Sequence, residues 1–320
     1  MPFLSVVTAC YNEEENVEDT VRQVRGVMES LPPRAQPDGG SEPYTYEHLF
    51  IDNASSDHTV QILRDICAED KRVKVIVNTR NFGHIRSPFH GLLEARGDAV
   101  ISIVADLQDP PEMIRQFVAH WEEGHKVVVG VKKESLERRS MFFVRTLYYK
   151  ILGRLSDVPL IENFTGFGLY DRLVTDKLRE IDDPYPYFRG LICDLGYDRI
   201  EIPYVQPNRS RGVTKNNFYS LYDMAMLGIT NHSKVPLRLA AMAGFALSII
   251  ALLVAVIYLV LKLSMWNTFD LGLAPLVIGV YFFGSVQLFF IGVLGEYILS
   301  IHTQVYHRPL VVEKERINFD

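Results

Sequence analysis

The segment Val104-Ala105-Asp106-Leu107-Gln108-Asp109-Pro110-Pro111-Glu112 places acids and an amide directly after an apolar, β-branched run. Hard cations such as Mg²⁺ or Mn²⁺ take oxygen ligands. Asp106 and Gln108 are one residue apart. On an extended strand end they would project to the same side and offer a carboxylate and an amide oxygen to such an ion. A cation held there would bridge a diphosphate. Asp109 stands before two prolines and a helical pattern, where an acidic N-cap and an early proline are favoured, so a structural role is expected for it. Two further polar clusters follow short apolar runs: Tyr11-Asn12-Glu13-Glu14-Glu15-Asn16 and Asp52-Asn53-Ala54-Ser55-Ser56-Asp57. A carboxylate at the end of a second strand can accept hydrogen bonds from a base or ribose, with the first polar loop bordering the same pocket. The same residues also suit helix N-termini, Asn12 with its glutamates for one and Ser55 or Ser56 with Asp57 for the next. Both readings stay open at this point.

These clusters need a scaffold, and the pattern between them supplies one. Phe3 to Ala9, Glu47 to Asp52, Val73 to Asn78, Ala99 to Ala105 and Lys126 to Val131 read as strands. Helical patterns at Glu14 to Ser30, Ser56 to Glu69, Ile85 to Arg96 and Pro111 to Glu123 alternate with them. That rhythm predicts an open α/β fold with a mostly parallel, Rossmann-like sheet, in which ligands bind at the carboxyl ends of the strands. The Pro/Gly-rich stretch Pro32 to Pro43 reads as a surface loop. There is no glycine-rich dinucleotide fingerprint and no P-loop. The histidines, His84 and His90 included, show no metal spacing.

Hydropathy divides the chain. Leu239 to Leu261 and Leu271 to Gly295 are uncharged runs, each long enough at about 1.5 Å per residue to cross a hydrocarbon core of roughly 30 Å. A short stretch with Lys262 and Asp270 joins them, which predicts a two-helix transmembrane hairpin. Lys234, Arg238, Arg308, Lys314 and Arg316 flank its base against Lys262 near its tip, so positive-inside bias puts both ends in the cytoplasm. Met1 to Cys10 has no basic segment and is too short for a signal sequence. Cys10, Cys67 and Cys193 are odd in number and widely spaced, which suggests neither a disulfide framework nor a zinc site and suits a reducing compartment. The expected organisation is a cytoplasmic domain over 1–215, a juxtamembrane amphipathic helix over 216–235, the two spans within 236–299, and a cytoplasmic tail over 300–320.

The net charge of −6 argues against general nucleic-acid affinity. Cationic charge is instead local. Lys132 to Arg154 carries Lys132, Lys133, Arg138, Arg139, Arg145, Lys150 and Arg154 among aromatic and aliphatic residues at near-helical spacing. Such a stretch suits an anionic membrane surface or a lipid phosphate, and equally a solvated helix packed on the sheet. Arg209, Arg211 and Lys215 form a second basic loop, which suits a juxtamembrane lipid contact.

Taken in order, Asn12-Glu13, the Asp52 to Asp57 run, Arg80-Asn81-Phe82-Gly83, the Ala105 to Glu112 run and the closing hairpin resemble family 2 glycosyltransferases of the GT-A fold. More narrowly they resemble the polyprenyl-phosphate glycosyltransferases, a group that includes dolichol-phosphate mannose synthase and the bactoprenol glucosyltransferases. The resemblance covers essentially the whole chain. It implies an inverting transfer of a hexose from a nucleotide-diphosphate sugar to polyprenyl phosphate at the cytoplasmic face of a cell membrane, and a homotetramer. It further implies that Tyr11, Asn12, Glu13, Asp52, Ala105 and Asp106 line the donor site, that Arg211 and Lys215 lie over the donor phosphates, and that Asp106 and Gln108 meet Mg²⁺ or Mn²⁺. Lys132, Arg138 and Arg139 are the candidates for the acceptor phosphate.

Two positions depart from the group's pattern. Val104 stands where an acid is usual two residues before Asp106, and Gly166 in Thr165-Gly166-Phe167-Gly168-Leu169 stands where a catalytic Asp is usual. Glu162 and Asp171 flank that segment and are the candidates to replace it. A phosphate monoester is mostly dianionic at neutral pH, so an acceptor of that kind needs no general base. A processive polysaccharide synthase would share the donor domain, but its Gln-x-x-Arg-Trp motif is absent, since the tryptophans are Trp121 and Trp266 in other contexts. A transferase acting on a different membrane lipid would keep nearly all of these features, and a silent nucleotide-sugar binder would explain Val104 and Gly166.

Overall fold

The apolar run Phe3–Cys10 (β1) is buried along almost its whole length. A strand apolar on both faces needs cover on both faces, and this one lies mid-sheet with parallel neighbours on either side. In the computed structural model, which describes residues 1–35, 40–134, 160–207, 226–228, 230, 233–264 and 273–319, β1 is followed by α1 (Val17–Glu29), β2 (Thr45–Asp52), α2 (Thr59–Glu69) and β3 (Val73–Asn78). Next come α3 (Gly83–Glu94), β4 (Ala99–Val104), α4 (Ile114–Glu122), β5 (Val127–Glu134) and β6 (Phe164–Asp171). The described chain ends with α5 (Arg172–Ile181), α6 (Phe188–Asp194), β7 (Arg199–Val205), α7 (Val235–Ser264), α8 (Leu273–Tyr306) and β8 (Glu313–Ile317). These eight strands form one mixed sheet in the order β8-β3-β2-β1-β4-β6-β5-β7, so the expected α/β architecture is present, while Arg34–Ala35 and Ser41–Glu42 pair as a separate short ladder within the segment expected as a surface loop.

The left half, β3-β2-β1-β4, is parallel, in register Asp52 opposite Val77, Cys10 opposite Asp52 and Ala9 opposite Val104. Its carboxyl ends therefore form a single edge. β6 runs against both β4 and β5, and β7 runs parallel to β5. As a result Gly166, at the start of β6, and Lys132 and Tyr204, at the ends of β5 and β7, reach the same edge. One face of the sheet is covered by α1 and α4 around Val24, Ile114, Phe117 and Trp121, the other by α3 and α5 around Phe89, Leu92 and Val174. α1 buries Val17, Val21, Val24 and Met28, the stripe of an amphipathic helix.

His48 is buried among these layers, its Nε2 2.9 Å from Thr8 Oγ1 and its ring 4.3 Å from that of Phe50. Burial pushes its pKa down to about 3. Below pH ~6.5 the unfolded chain takes up a proton that the folded chain refuses, so acid destabilises the fold through this group by about 1.4 kcal/mol per pH unit until about pH 3. The difference in unfolding free energy between the wild type and His48→Gln is expected to follow that slope; a difference independent of pH would contradict it.

α7 and α8 are long and apolar enough to cross a membrane, with mean hydropathy 2.8 and 1.8 over the most apolar 18 residues within Val235–Ser264 and Ile278–Tyr306. Their large side chains, Phe245, Leu252, Leu288 and Phe289 among them, are uncovered, as a lipid-facing surface requires. At their base Tyr297 donates to the Ser233 carbonyl at 2.7 Å. α7 runs past both ends of its expected range of 239–261, and α8, described from Leu273, runs past the expected end of 271–295. Residues 300–320, expected as a tail, continue α8 to Tyr306 and then return to the sheet as β8. The connection between the helices, the basic residues Arg138, Arg139, Arg209, Arg211 and Lys215, and most of 216–235 lie outside the described residues.

Candidate active site

Two loops leave the carboxyl edge after β1 and β2 and are laced together. Ser55 Oγ accepts from the Asn12 amide at 2.8 Å, and Asn12 Oδ1 accepts from the Ser56 amide at 2.8 Å. The Glu13 amide donates to Thr59 Oγ1 at 2.9 Å, and Glu14 Oε2 accepts from the His58 amide at 2.9 Å. Asn12 and Ala54 hold φ of 55° and 62°, the left-handed turns that fold each loop toward the other. The lacing decides part of the question the sequence left open. Asp57 does serve the start of α2, accepting from the Thr59 amide at 3.0 Å. Asn12 bridges to the neighbouring loop instead of capping its own helix, and α1 begins only at Val17.

Asp52 lies at the floor of this pair of loops, fully buried, with one oxygen accepting from the Ser55 amide at 2.9 Å and the other from the Ser55 hydroxyl. Burial raises its pKa, and the Ser55 hydrogen bonds oppose that shift. Tyr11 and Glu13 are half-buried beside it. Asn53 is a hub that sequence reasoning missed. Its amide donates to Asn81 Oδ1 at 2.9 Å and the Gly83 carbonyl at 3.1 Å, while its oxygen accepts from the Phe82 amide at 2.8 Å and Asn78 Nδ2 at 3.3 Å. The signal available for it was the Arg80-Asn81-Phe82-Gly83 segment directly after a strand. That segment is a third loop at the carboxyl edge, tied to the second through Asn53, with the Arg80 guanidinium 4.0 Å from the Phe82 ring centre.

The acidic segment turns sooner than its sequence predicts. β4 ends at Val104, and Leu107 has φ of 55°, so Asp106 and Gln108 lie in a turn and the expected strand alternation does not apply to them. The turn still brings the two residues together: Asp106 Oδ1 accepts from the Gln108 amide at 3.2 Å. Asp106 is 6% exposed, and the Ala105 carbonyl is tied to α1 by the Thr20 hydroxyl at 2.8 Å. The donor set here is a carboxylate and an amide, all oxygen, and Val104 contributes an uncovered apolar side chain in place of an acid. That set fits Mg²⁺ or Mn²⁺, because such cations take one or two protein carboxylates and complete their shell with phosphate and water. Among the described residues His90, Glu94 and Glu313 also approach one another. Arg316 already pairs with Glu94 at 2.8 Å and with Glu313 at 2.7 Å, which offsets one of their two charges and occupies an oxygen of each.

Asp109 does not cap a helix as expected. Pro110 precedes the short turn Pro111–Met113 without a side-chain cap. The Asp109 carboxylate instead accepts from the Tyr204 hydroxyl at 2.7 Å and is buried, which pushes its pKa up to about 6. Lys132 and Asp106 bear on the same group with opposite sign. Beside it opens a cavity of about 180 Å³ lined by Ala9, His84, Val104, Asp109, Gly166 and Arg189. Gly166 has φ of 102°. A Cβ there would stand 3.5 Å from Phe188, ordinary contact, so the backbone angle and not the space favours glycine at this position.

Neither proposed replacement acid lines that cavity. Glu162 is exposed on the turn before β6. Asp171 sits opposite Ala99 at the far end of β6, five residues or roughly 17 Å from Gly166 along the strand. It caps α5 through the Leu173 amide at 3.0 Å and accepts from Trp121 Nε1 at 2.7 Å and Lys126 Nζ at 3.0 Å. Its role is structural, and the sequence expectation for Asp171 is corrected.

Residues 5–179 match the sequence profile of Glycosyl transferase family 2. The uncharacterized glycosyltransferase YkcC of Bacillus subtilis is 33% identical, covering 96% of this chain and 92% of that protein. The bactoprenol glucosyl transferase of Shigella phage SfV is 31% identical, covering 97% and 98%. A solved glucosyl-3-phosphoglycerate synthase from Mycobacterium tuberculosis with bound uridine-diphosphate overlays at a TM-score of 0.47 and 19% identity, over 72% of this chain and 78% of that one. An overlay that loose transfers no residue roles.

Proposed function

The chain belongs to glycosyl transferase family 2, and on that premise we propose that it transfers a hexose from a nucleotide-diphosphate sugar to polyprenyl phosphate at the cytoplasmic face of a membrane, inverting the anomeric carbon. That it is a glycosyltransferase follows from the family. The lipid acceptor rests on one observation: the last strand before the apolar helices ends, and the strand after them begins, at the edge that carries the site. β7 ends at that edge beside Lys132 before the chain runs on to α7. After α8 the chain rejoins the sheet with Glu313 beside Asn78, at the same edge. With the helices in a bilayer, the pocket mouth looks toward the membrane surface. Relatives named bactoprenol glucosyl transferases, aligned over nearly their whole length, support a polyprenyl acceptor.

In this reading the loops at Tyr11 to Glu13 and Asp52 to Ser55, with Ala105 and the Asn81 segment, hold the nucleoside. Asp106 and Gln108 would hold a divalent cation, which would supply positive charge against the leaving nucleotide. Arg189 lines the cavity and Lys132 acts electrostatically on Asp109 in its wall, so cationic charge is available there to hold the acceptor phosphate and align its oxygen behind the anomeric carbon. Arg138 and Arg139 add to the acceptor side, and Arg211 and Lys215 to the donor phosphates. No side chain has to remove a proton, because the phosphate monoester has a second pKa near 6 and arrives as a dianion. Gly166 is compatible with that chemistry in a way it would not be with an alcohol acceptor.

Two acceptors of equal chain length separate this reading from its rivals. Label from the nucleotide sugar is expected to enter polyprenyl phosphate at least about 100-fold faster than polyprenol, with the phosphate rate declining below pH ~6 as the dianion is protonated. Equal labelling of the two lipids would overturn it.

A further inference from the structure

We propose that residues 307–312 form a tie of fixed length that sets the height of the active site above the membrane; the inference rests on the lipid-phosphate reading above. A free tail would leave the orientation of the catalytic domain to the connection before α7 alone. The chain instead leaves α8 at Tyr306 and resumes regular structure at Glu313, so the two are joined by six residues. Fully extended, such a span reaches no more than about 20 Å. Pro309 stiffens it further by fixing one backbone angle.

The tie is fastened at both ends. On the helix side Gln304 Nε2 donates to Asp183 Oδ1 at 2.8 Å, and His307 Nε2 lies 2.9 Å from Asp182 Oδ2. On the sheet side the Val312 carbonyl accepts from the Thr79 amide at 2.9 Å and its hydroxyl at 3.1 Å, and Arg86 donates to the Pro309 carbonyl. β8 then adds to β3 as an antiparallel strand, with Glu315 paired to Arg64 at 2.7 Å and His90 2.6 Å from Glu313. Asn318 Nδ2 finishes the strand by donating to the Cys67 and Val73 carbonyls at 2.8 and 2.9 Å. Surface ion pairs contribute little singly, but the strand ladder and the Asn318 bonds fix its register.

The attachment point matters as much as its strength. Thr79 follows Asn78, whose amide reaches Asn53 Oδ1, and Asn53 carries the Asn81–Gly83 loop. The chain leaving the second apolar helix is thus fixed, six residues on, to the strand end that carries the Asn53 loop contacts. A lipid phosphate confined to a membrane surface can meet the anomeric carbon only if the active site stands at one height, and small misplacements of reacting groups cost large factors in rate. A soluble acceptor carries no such demand.

The test lengthens the tie without touching either anchor. Gly-Ser-Gly-Ser is inserted between Arg308 and Pro309 of the full chain in phospholipid vesicles, and transfer is measured to long-chain polyprenyl phosphate and to a short, water-soluble prenyl phosphate. Transfer to the long-chain lipid is expected to fall about tenfold or more, while transfer to the soluble acceptor and the donor KM stay within twofold. Equal activity of the insertion variant on both acceptors would overturn the tie and leave β8 as an edge cover. Parallel loss on both acceptors would also overturn it, since the strand would then serve the fold or the pocket itself. If the unaltered chain transfers to neither acceptor, the function proposed above fails instead.

Discussion

Asp106→Ala is expected to lower kcat for lipid glycosylation by about 100- to 1,000-fold and to abolish its dependence on Mg²⁺ or Mn²⁺. Asp106 is the acid at the turn after β4 that faces Gln108; Val104 supplies no second acid, and the nearby Asp109 carboxylate is occupied by the Tyr204 hydroxyl. The loss of the 3.2 Å bond from the Gln108 amide should cost the fold about 1 kcal/mol, because Gln108 is only half-buried and water can take the carboxylate's place. Turnover at saturating donor, measured together with thermal unfolding, checks both halves. Unchanged turnover in the variant would remove Asp106 from the cation site.

Asp171→Ala should do the reverse. Asp171 is 6% exposed and receives the Trp121 ring N–H, the Lys126 ammonium and the Leu173 amide. Truncation leaves a buried indole N–H unpartnered and removes the cap of α5, for a loss of about 2–4 kcal/mol. The variant's melting temperature is expected to drop by several degrees, while kcat per folded molecule stays within twofold. A catalytic defect at unchanged stability would return Asp171 to the active site, against its position at the opposite edge of the sheet. The two aspartates belong to the same chemical class, and topology alone separates their roles.

That separation could not be read along the chain. The parallel strands were legible because each is a short β-branched run closed by polar loop residues, and the register of β1, β2 and β3 then placed Asp52 and the Asn12 loop together as expected. The two apolar helices were legible from uncharged length. What failed depended on direction or on backbone state. Asp171 is near Gly166 in sequence, yet β6 runs antiparallel to β4 and carries it to the far edge. Leu107 adopts a left-handed angle that its side chain does not signal, which ended the strand early and replaced the predicted alternation with a turn. Gly166 looked like a missing acid, whereas its φ of 102° gives glycine a backbone reason to be there.

β8 was illegible for a different reason. Its sequence, Glu313-Lys314-Glu315-Arg316-Ile317, shows no apolar alternation, because an edge strand held by ladder bonds and ion pairs buries little. Asn53 was hidden for a related cause. Its four partners all lie in the stretch Asn78 to Gly83, 25 to 30 residues further along the chain, and nothing in the local pattern distinguishes a polar hub from a helix cap.

Radiolabel transfer by the purified full chain in vesicles, with nucleotide sugars supplied one at a time and polyprenyl phosphate and Mg²⁺ or Mn²⁺ present, tests the central claim most directly. One donor is expected to place label in an acid-labile lipid, and chelating the cation should stop it. No labelled lipid with any common nucleotide sugar would contradict the proposed reaction.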